Sequence, residues 1–206
     1  MISVIIPTYN NSNQLMTTVA SVLSQNVDDI EIIVIDDAST DNTDFKIKEM
    51  NNSKIKYFKQ PKNVGATLSR IEGIRQSSGK YVGFLDDDDV WLGDKLKKQL
   101  DLMDAKNLDF IMSDYLINDM IDNIQYEKSL KDFSKDFKKN IVINPGPFLQ
   151  CCLFNRNFIL QNIDKFDFRA EPSEDWDFFI SFSMTNPRVD NVNECMFQWN
   201  LSNKSQ

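Results

Sequence analysis

Tyr81-Val82-Gly83-Phe84-Leu85 runs directly into Asp86-Asp87-Asp88-Asp89. The first part is a short apolar run, the pattern of a strand buried on both faces. The second puts four carboxylates at that strand's C-terminal end. The same order occurs upstream, where Ile30-Glu31-Ile32-Ile33-Val34-Ile35 ends in Asp36-Asp37-Ala38-Ser39-Thr40-Asp41. Ile2 to Ile6 is a third such run, stopped by Pro7, and Lys54 to Phe58 reads as a fourth strand. Helical patterns lie between them. Asn11-Ser12-Asn13-Gln14 is a helix-start cluster whose side chains are expected to cap free backbone amides. Leu15, Val19, Val22 and Leu23 follow at helical spacing. Leu68, Ile71 and Ile74 mark a helix that stops at Gly79, and Leu92, Leu96, Leu100 and Met103 mark another, followed by a strand at Phe110-Ile111-Met112. Alternating strands and helices predict an α/β fold, a mostly parallel central sheet flanked by helices. The second half is less regular: a polar stretch from Asn118 to Asn140, then helices expected after Pro147, around Phe158 and from Asp175 to Met184. With no repeat and no linker, residues 1–206 read as one domain.

The chain has 206 residues; at about 150 per domain that is one domain with additions. Hydrophobic residues are 41% and charged residues 26%, which argues against disorder, collagen and coiled coil. Asp plus Glu is 31 against 23 Lys plus Arg, a net charge of −8, and the pI is near 4.6. Binding a phosphate backbone needs a basic face, so no nucleic-acid partner is expected. A metal or a metal-bound anion suits this chain better. There is no histidine, which excludes Ser-His-Asp triads, His-ligated zinc and a His base. Cys151, Cys152 and Cys195 are an odd count without C-x-x-C. They read as reduced thiols packed in the core of a cytoplasmic chain. The N-terminus lacks the basic segment and cleavage site of a signal peptide, and no apolar run approaches the ~18 residues of a membrane span.

Ligands of open α/β sheets sit outside the carboxyl ends of the strands. The clusters Asp36-Asp37 and Asp86 to Asp89 would converge there if their strands are near neighbours. Crowded carboxylates repel, and a cation makes them easier to hold. Hard divalent ions take oxygen ligands, and Mg²⁺ or Mn²⁺ commonly bridges one or two carboxylates to a diphosphate. Against this, Asp favours turns, and either cluster alone fits a solvated strand-to-loop turn.

Four stretches carry a family resemblance: Ser3-Val4-Ile5-Ile6-Pro7-Thr8-Tyr9-Asn10, Glu31 through Asp41, Asn63-Val64-Gly65-Ala66 with Ser69-Arg70, and Gly79 through Asp89. In this order they resemble glycosyltransferase family 2, over residues 2 to about 104. A looser likeness continues through Arg156, Phe166-Asp167 and Ser173-Glu174-Asp175-Trp176-Asp177. The resemblance implies the GT-A fold, with a nucleotide-binding half (1–104) and an acceptor-binding half (105–206). It implies sugar transfer from a nucleotide-diphosphate donor to a glycan or lipid-linked acceptor in polysaccharide biosynthesis, with inversion and with Mn²⁺ or Mg²⁺. Pro7 and Tyr9 match the loop beside the nucleotide base, and Tyr9 is placed to stack on it. Asp37 matches the carboxylate that accepts from a uracil-type imide, which favours UDP. Arg70 matches the basic residue near the nucleotide. Asp86-Asp87-Asp88 matches the D-x-D motif, with Asp86 and Asp87 on the nucleotide side and Asp88 as direct metal ligand. Asp175 matches the candidate general base, although it also fits a helix cap.

Two departures matter. The family's aromatic-Arg-x-His motif is matched by Phe197-Gln198-Trp199-Asn200, without the Arg and His. That puts an extra contact to metal or diphosphate in doubt, and it favours an alternative, a catalytically degenerate nucleotide-sugar-binding module. There is also no Gln-x-x-Arg-Trp, which in the family accompanies processive membrane synthases. A soluble enzyme adding one sugar at a time is therefore expected. The chain stops soon afterwards, which leaves room for a further C-terminal segment. Trp176 and Trp199 are candidates for stacking on a sugar. Asp86 and Asp88 also fit the D-x-D-x-V nucleophile motif of haloacid-dehalogenase phosphatases, but that motif normally opens its domain. Finally, Lys131 to Lys139 places Phe133 and Phe137 among lysines, a segment able to touch an anionic membrane peripherally.

Overall fold

The computed structural model describes residues 1–144, 146–166 and 173–201. The first half alternates as expected: β1 (Ile2–Thr8), α1 (Ser12–Leu23), β2 (Ile30–Asp36), α2 (Thr43–Glu49), β3 (Ile55–Lys59), α3 (Ala66–Gln76) and β4 (Tyr81–Phe84). Then follow β5 (Val90–Trp91), α4 (Lys95–Lys106), β6 (Phe110–Asp119), β7 (Ile124–Lys128), α5 (Phe137–Ile143), β8 (Leu153–Asn155), α6 (Arg156–Gln161), α7 (Glu174–Ser183) and β9 (Val189–Leu201). One sheet carries both halves in the order β3-β2-β1-β4-β8-β6-β9-β5, with β7 beside the outer part of β6. The ladders among β3, β2, β1 and β4 are all parallel. The second half mixes a long parallel ladder, β6 with β9, with antiparallel joins through β8, β5 and β7. The two longest ladders, β1–β2 and β6–β9, are parallel.

Every residue of β1 and β2 is buried. The polar members of those strands are paired. Ser3 donates to Glu31, which also takes the Ser78 amide at 2.8 Å and the Lys56 ammonium at 2.7 Å. Burial alone would raise the Glu31 pKa, but Lys56, Ser3 and Ser78 outweigh it and hold it at about 2. The second half closes on phenylalanines: Phe110 stacks on Phe154 at 5.3 Å, and Phe154 in turn on Phe179 at 6.2 Å.

Several details differ from the sequence expectations. Strand β1 does not stop at Pro7 but runs on to Thr8. Ile5 accepts from the Leu85 amide and Thr8 from the Asp37 amide. By alternation, the missing Pro7 N–H faces the β4 side, past the last β1–β4 pair at Ile5–Phe84, so proline removes no ladder bond. The N-terminus of α1 is capped from a distance: Asn11 makes no capping bond, and Asp41 accepts from the Ser12 amide at 3.0 Å. The polar stretch 118–140 contains the end of β6, the return strand β7 and the start of α5. Phe133 and Phe137 are 7% and 6% exposed, with Phe137 edge-on to Phe110 at 5.2 Å. Both rings are therefore committed to the core, not to a membrane surface. Among the described residues no helix is long and apolar enough to cross a membrane, and all three cysteines are free.

Helix α3 packs on β1 and β2, and Gly73 lets it approach. A Cβ at Gly73 would lie 2.3 Å from Ile5 Cγ2. Glycine inside a helix costs about 1 kcal/mol relative to alanine, whereas overpacking a core costs about 1–3 kcal/mol. Gly73→Ala should therefore lower stability by up to about 2 kcal/mol, seen as a lower urea midpoint. A raised midpoint would mean that α3 can back away from β1.

Candidate active site

The carboxyl ends of β1, β2 and β4 lie side by side, and the loops that follow them build the site. Two are clasped together: Ser39 Oγ accepts from the Asn10 amide at 2.9 Å, and Asn10 Oδ1 from the Thr40 amide at 2.7 Å. Ala38 sits between them at φ 66°, a left-handed geometry that a non-glycine residue adopts at a cost of ~1–3 kcal/mol. Asp36 holds it there, accepting from the Ser39 amide at 2.7 Å and from the Tyr57 hydroxyl. Asp36 is thus structural, and Asp37 faces the cleft.

Pro7, Tyr9, Asp37, Arg70, Asp86, Asp87 and Asp88 all line one cleft of about 470 Å³. Tyr9 is 51% exposed at its rim. Asp37 accepts from the Val64 and Gly65 amides at 2.8 Å each, tying the start of α3 to the end of β2. Arg70, only 3% exposed, donates to Asp86 at 2.7 Å and lies 3.6 Å from Glu174. Burial would lower its pKa, but Asp86, Asp175 and Glu174 raise it, so it stays charged. The other Asp86 oxygen accepts from the Gln150 amide.

Asp87 and Asp88 share the cleft although strand neighbours point to opposite faces, because β4 ends at Phe84 and the acids occupy a turn. Asp87 anchors the β1 loop through Thr8 and Asn11. Asp88 has no hydrogen-bond partner for its carboxylate from another residue among those described. Burial, followed by the charges of Asp86 and Asp87, raises Asp88 to about 6. Burial does the same to Asp87. Asp89, deeper still, is raised well above the usual range, by burial first. Asn200 holds this turn: its backbone amide donates to Asp89 Oδ1 at 2.8 Å and its side chain to the Asp88 carbonyl at 2.7 Å. The position that departs from the family motif therefore still reaches the acidic turn.

Asp175 lines a smaller adjoining cavity of about 150 Å³, whose wall includes Arg70, Asp86, Gln150, Glu174 and Trp199. Its Oδ2 accepts from the Leu149 amide at 2.9 Å; it makes no capping bond within its own helix. Burial raises it to about 6, with Arg70 opposing. Six buried side-chain atoms lack a hydrogen bond among the described residues, and four of them are Arg70 Nε, Arg70 Nη1, Gln150 Oε1 and Asp175 Oδ1. All four belong to residues of this cavity. Trp199 lines it too, 5.0 Å from Phe148, whereas the Trp176 indole donates to the Ile141 carbonyl at 2.6 Å and lines neither space. Arg156 donates to Ser77 at 2.9 Å, away from the site. Asp167 lies outside the described residues. Sequence reading gave Asn11 only a capping role, which it does not fill, and gave Gln150 none, since lone amides carry no spacing signal.

No three carboxylates, cysteines or histidines among the described residues group closely enough to hold a metal by themselves. Mg²⁺ and Mn²⁺ commonly take one or two carboxylates together with phosphate oxygens, and Asp88 is the carboxylate of the cleft with no hydrogen-bond partner from another described residue. The raised acids also set a pH dependence. Asp87, Asp88 and Asp175 stand at about 6 in the fold, against about 3.9 in an unfolded chain. The folded state then holds more protons between about pH 4 and 6, so stability falls as pH rises through that window. Glu31, lowered to about 2, acts with the opposite sign only below it. Melting in EDTA should show Tm dropping from about pH 5 to 7, with Mn²⁺ restoring it at the upper end. A Tm that rises across this range would overturn the burial argument.

The sequence profile of glycosyl transferase family 2 matches residues 3–163. The Escherichia coli protein WfgD, a UDP-Glc:alpha-D-GlcNAc-diphosphoundecaprenol beta-1,3-glucosyltransferase, is 36% identical over 117 residues, 57% of this chain and 46% of that one. WfaP, an E. coli protein described by the same activity, is 34% identical over 154 residues, 74% of this chain and 57% of that one. The chain thus spans about half the length of these relatives. The crystal structure of Staphylococcus aureus TarS 1-349 in complex with UDP-GlcNAc superposes with a TM-score of 0.81 at 21% identity, over 98% of this chain and 58% of that one. The family match, the relatives and the fold agree: this chain belongs to glycosyl transferase family 2 and has its GT-A fold.

Proposed function

We propose that this chain transfers a sugar, with inversion, from a nucleotide-diphosphate donor to a hydroxyl of a glycan or lipid-linked acceptor. The observation that carries the reading is the set of four buried polar atoms without a hydrogen bond around the cavity beside the acid-lined cleft, one of them, Arg70 Nη1, with only the 3.6 Å ion pair to Glu174. Buried polar atoms without partners are costly, and two donors on Arg70 with acceptors on Asp175 and Gln150 call for a ligand rich in both hydroxyls and anionic oxygens. A sugar joined to a diphosphate is such a ligand. UDP is favoured by Asp37 and by the names of the similar proteins, one a UDP-glucose transferase and one crystallised with UDP-GlcNAc.

In this reading Tyr9 stacks on the base and Pro7 shapes its loop. Asp86 and Asp87 form the nucleotide-side wall, and Arg70 faces the negative diphosphate. Asp88 holds Mn²⁺ or Mg²⁺; when bound, the ion acts as a Lewis acid that stabilises the departing diphosphate. Asp175 Oδ1 accepts the proton of the acceptor hydroxyl, which makes that oxygen a competent nucleophile. With one base and attack opposite the leaving group, the anomeric centre inverts. The phosphatase alternative is set aside because the chain belongs to another family. The degenerate-module reading keeps one observation in its favour, the Gln198 and Asn200 replacements; it requires nucleotide binding without turnover.

UDP with Mn²⁺ at about 100 times its Kd should stabilise by about 2.7 kcal/mol, a Tm rise on the order of 5 °C for a chain of this size. Asp88→Ala should lose the metal-dependent part of that rise. Asp175→Asn should keep it and lose about 10²–10⁴ in transfer rate. The parent's rate should fall below about pH 6, where Asp175 takes up a proton, and the variant's residual rate should lack this limb. Transfer within about threefold of the parent by Asp175→Asn would move the base elsewhere, and binding without any turnover by the parent would establish the degenerate module.

A further inference from the structure

A buried stripe beneath the site serves none of the roles above. Trp91, Lys95 and Gln99 stand four residues apart along β5 and α4, and they are 3%, 0% and 0% exposed. Helix positions i and i+4 share a face, so Lys95 and Gln99 point the same way, into the protein. There they meet the short 3₁₀ turn Leu149–Cys151 and the residue after it. The Trp91 indole donates to the Gln150 carbonyl at 2.9 Å, the Gln99 amide to the Cys151 carbonyl at 2.9 Å, and the Lys95 ammonium to the Cys152 carbonyl at 3.5 Å. Three consecutive carbonyls are each taken by one member of the stripe. The stripe is also braced internally: Lys95 Nζ donates to Gln99 Oε1 at 2.7 Å and lies 4.3 Å from the Trp91 ring centre.

The same turn carries the donors that reach the two cavities. The Leu149 amide donates to Asp175, and the Gln150 side chain to Asp86. Those acids lie on different elements, one after β4 and one on α7, and this turn joins them.

Lys95 is an expensive way to fill a core position. Among the described residues it has no carboxylate within 4.0 Å, and burying an ammonium without a counter-ion is strongly unfavourable. Burial lowers its pKa to about 8. An apolar chain of similar length would pack there without that cost. What the amine supplies, and a methionine would not, is a donor to the turn and an orientation for Gln99: by occupying Oε1, it directs the amide NH₂ to Cys151.

We propose that Trp91, Lys95 and Gln99 form a clamp that positions the 149–152 turn, and through it orients Asp86 and Asp175 for sugar transfer. The proposal rests on the roles given above to those acids. None of the three touches substrate; they are positioning residues.

The test uses Lys95→Met, which keeps length and apolar volume, and Trp91→Phe, which keeps an aromatic ring and removes the indole donor. Each is compared with the parent by thermal melting, by amide hydrogen exchange at Leu149, and by the split of transfer kinetics into kcat and donor KM. The expected result is a Tm close to the parent's, exchange at Leu149 faster by about tenfold, and kcat lower by about ten- to hundredfold with donor KM little changed. If one variant fails to fold, the other decides. Unchanged Leu149 protection in a folded variant overturns the clamp, and so does a kcat that falls only in step with the folded fraction. Asp175→Asn, assayed alongside, separates the two readings. Full transfer by that variant removes the general base while leaving the Leu149 exchange to judge the clamp. Loss of transfer there, together with a normal rate in Lys95→Met, removes the clamp and keeps the base.

Discussion

Four consecutive carboxylates placed where β4 leaves the sheet are the constraint around which the site is organised. Asp86 to Asp89 follow the buried strand β4, and burial together with neighbouring acids raises the pKa of Asp87, Asp88 and Asp89. Such a turn holds its shape only if the surrounding chain supplies donors. It does so from far away in sequence: Thr8 and Asn11 from the β1 loop, Arg70 from α3, Gln150 from the turn before β8, and Asn200 from β9. Each donor depends on its own element being in register, so the acidic turn is where both halves of the sheet meet.

That dependence explains why the two halves read so differently. β1, β2 and β4 are covered on both faces and appear as unbroken apolar runs, and their C-terminal acids mark the site. β9 is nearly twice as long as β1, yet its burial alternates irregularly. Asn191, Asn193, Gln198 and Asn200 break any apolar run, because its task is hydrogen bonding: Asn191 donates to Asp114 at 2.9 Å, and Asn200 to the acidic turn. A strand chosen for its amides leaves no hydrophobic period to read. The same holds for α4. Leu96, Leu100 and Met103 mark this helix, with Leu92 lying before its start, but the face it buries also includes Lys95 and Gln99, which pattern alone assigns to solvent. Distant capping is equally silent, since nothing near Ser12 announces that Asp41 supplies its acceptor.

The site itself was legible in proportion to how far its chemistry requires particular residue types. Acidic clusters at strand ends and the family resemblance singled out Asp37, Asp86, Asp87, Asp88 and Asp175 from the chain, and the fold brings the first four to one cleft and Asp175 to the cavity beside it. Residues that orient them can be any donor of suitable length. Asn11 and Gln150 meet that requirement with no motif, and only the fold brings them within reach. Phe133 and Phe137 show the converse. Their spacing among lysines has the form of a surface segment, and core packing claims both rings.

The replacement of Arg and His by Gln198 and Asn200 then has an electrostatic consequence. Asn200 keeps a structural task, holding the Asp88 carbonyl and the Asp89 carboxylate with neutral donors. What the exchange removes is positive charge. Among the described residues that line the two cavities, the cation is Arg70, facing Asp37, Asp86, Asp87, Asp88, Glu174 and Asp175. A diphosphate entering this space adds negative charge to a region already in excess, and one guanidinium that is shared between Asp86 and Glu174 cannot offset it. A cationic side chain at either position would have lessened the deficit. Under the function proposed above, protons on the raised carboxylates or a divalent ion on Asp88 would lessen it. Protons and ion compete for the same oxygens. If donor binding is metal-linked as proposed, Gln198 and Asn200 should make it depend more on the ion, and fall more steeply in acid, than an Arg and a His at those positions would.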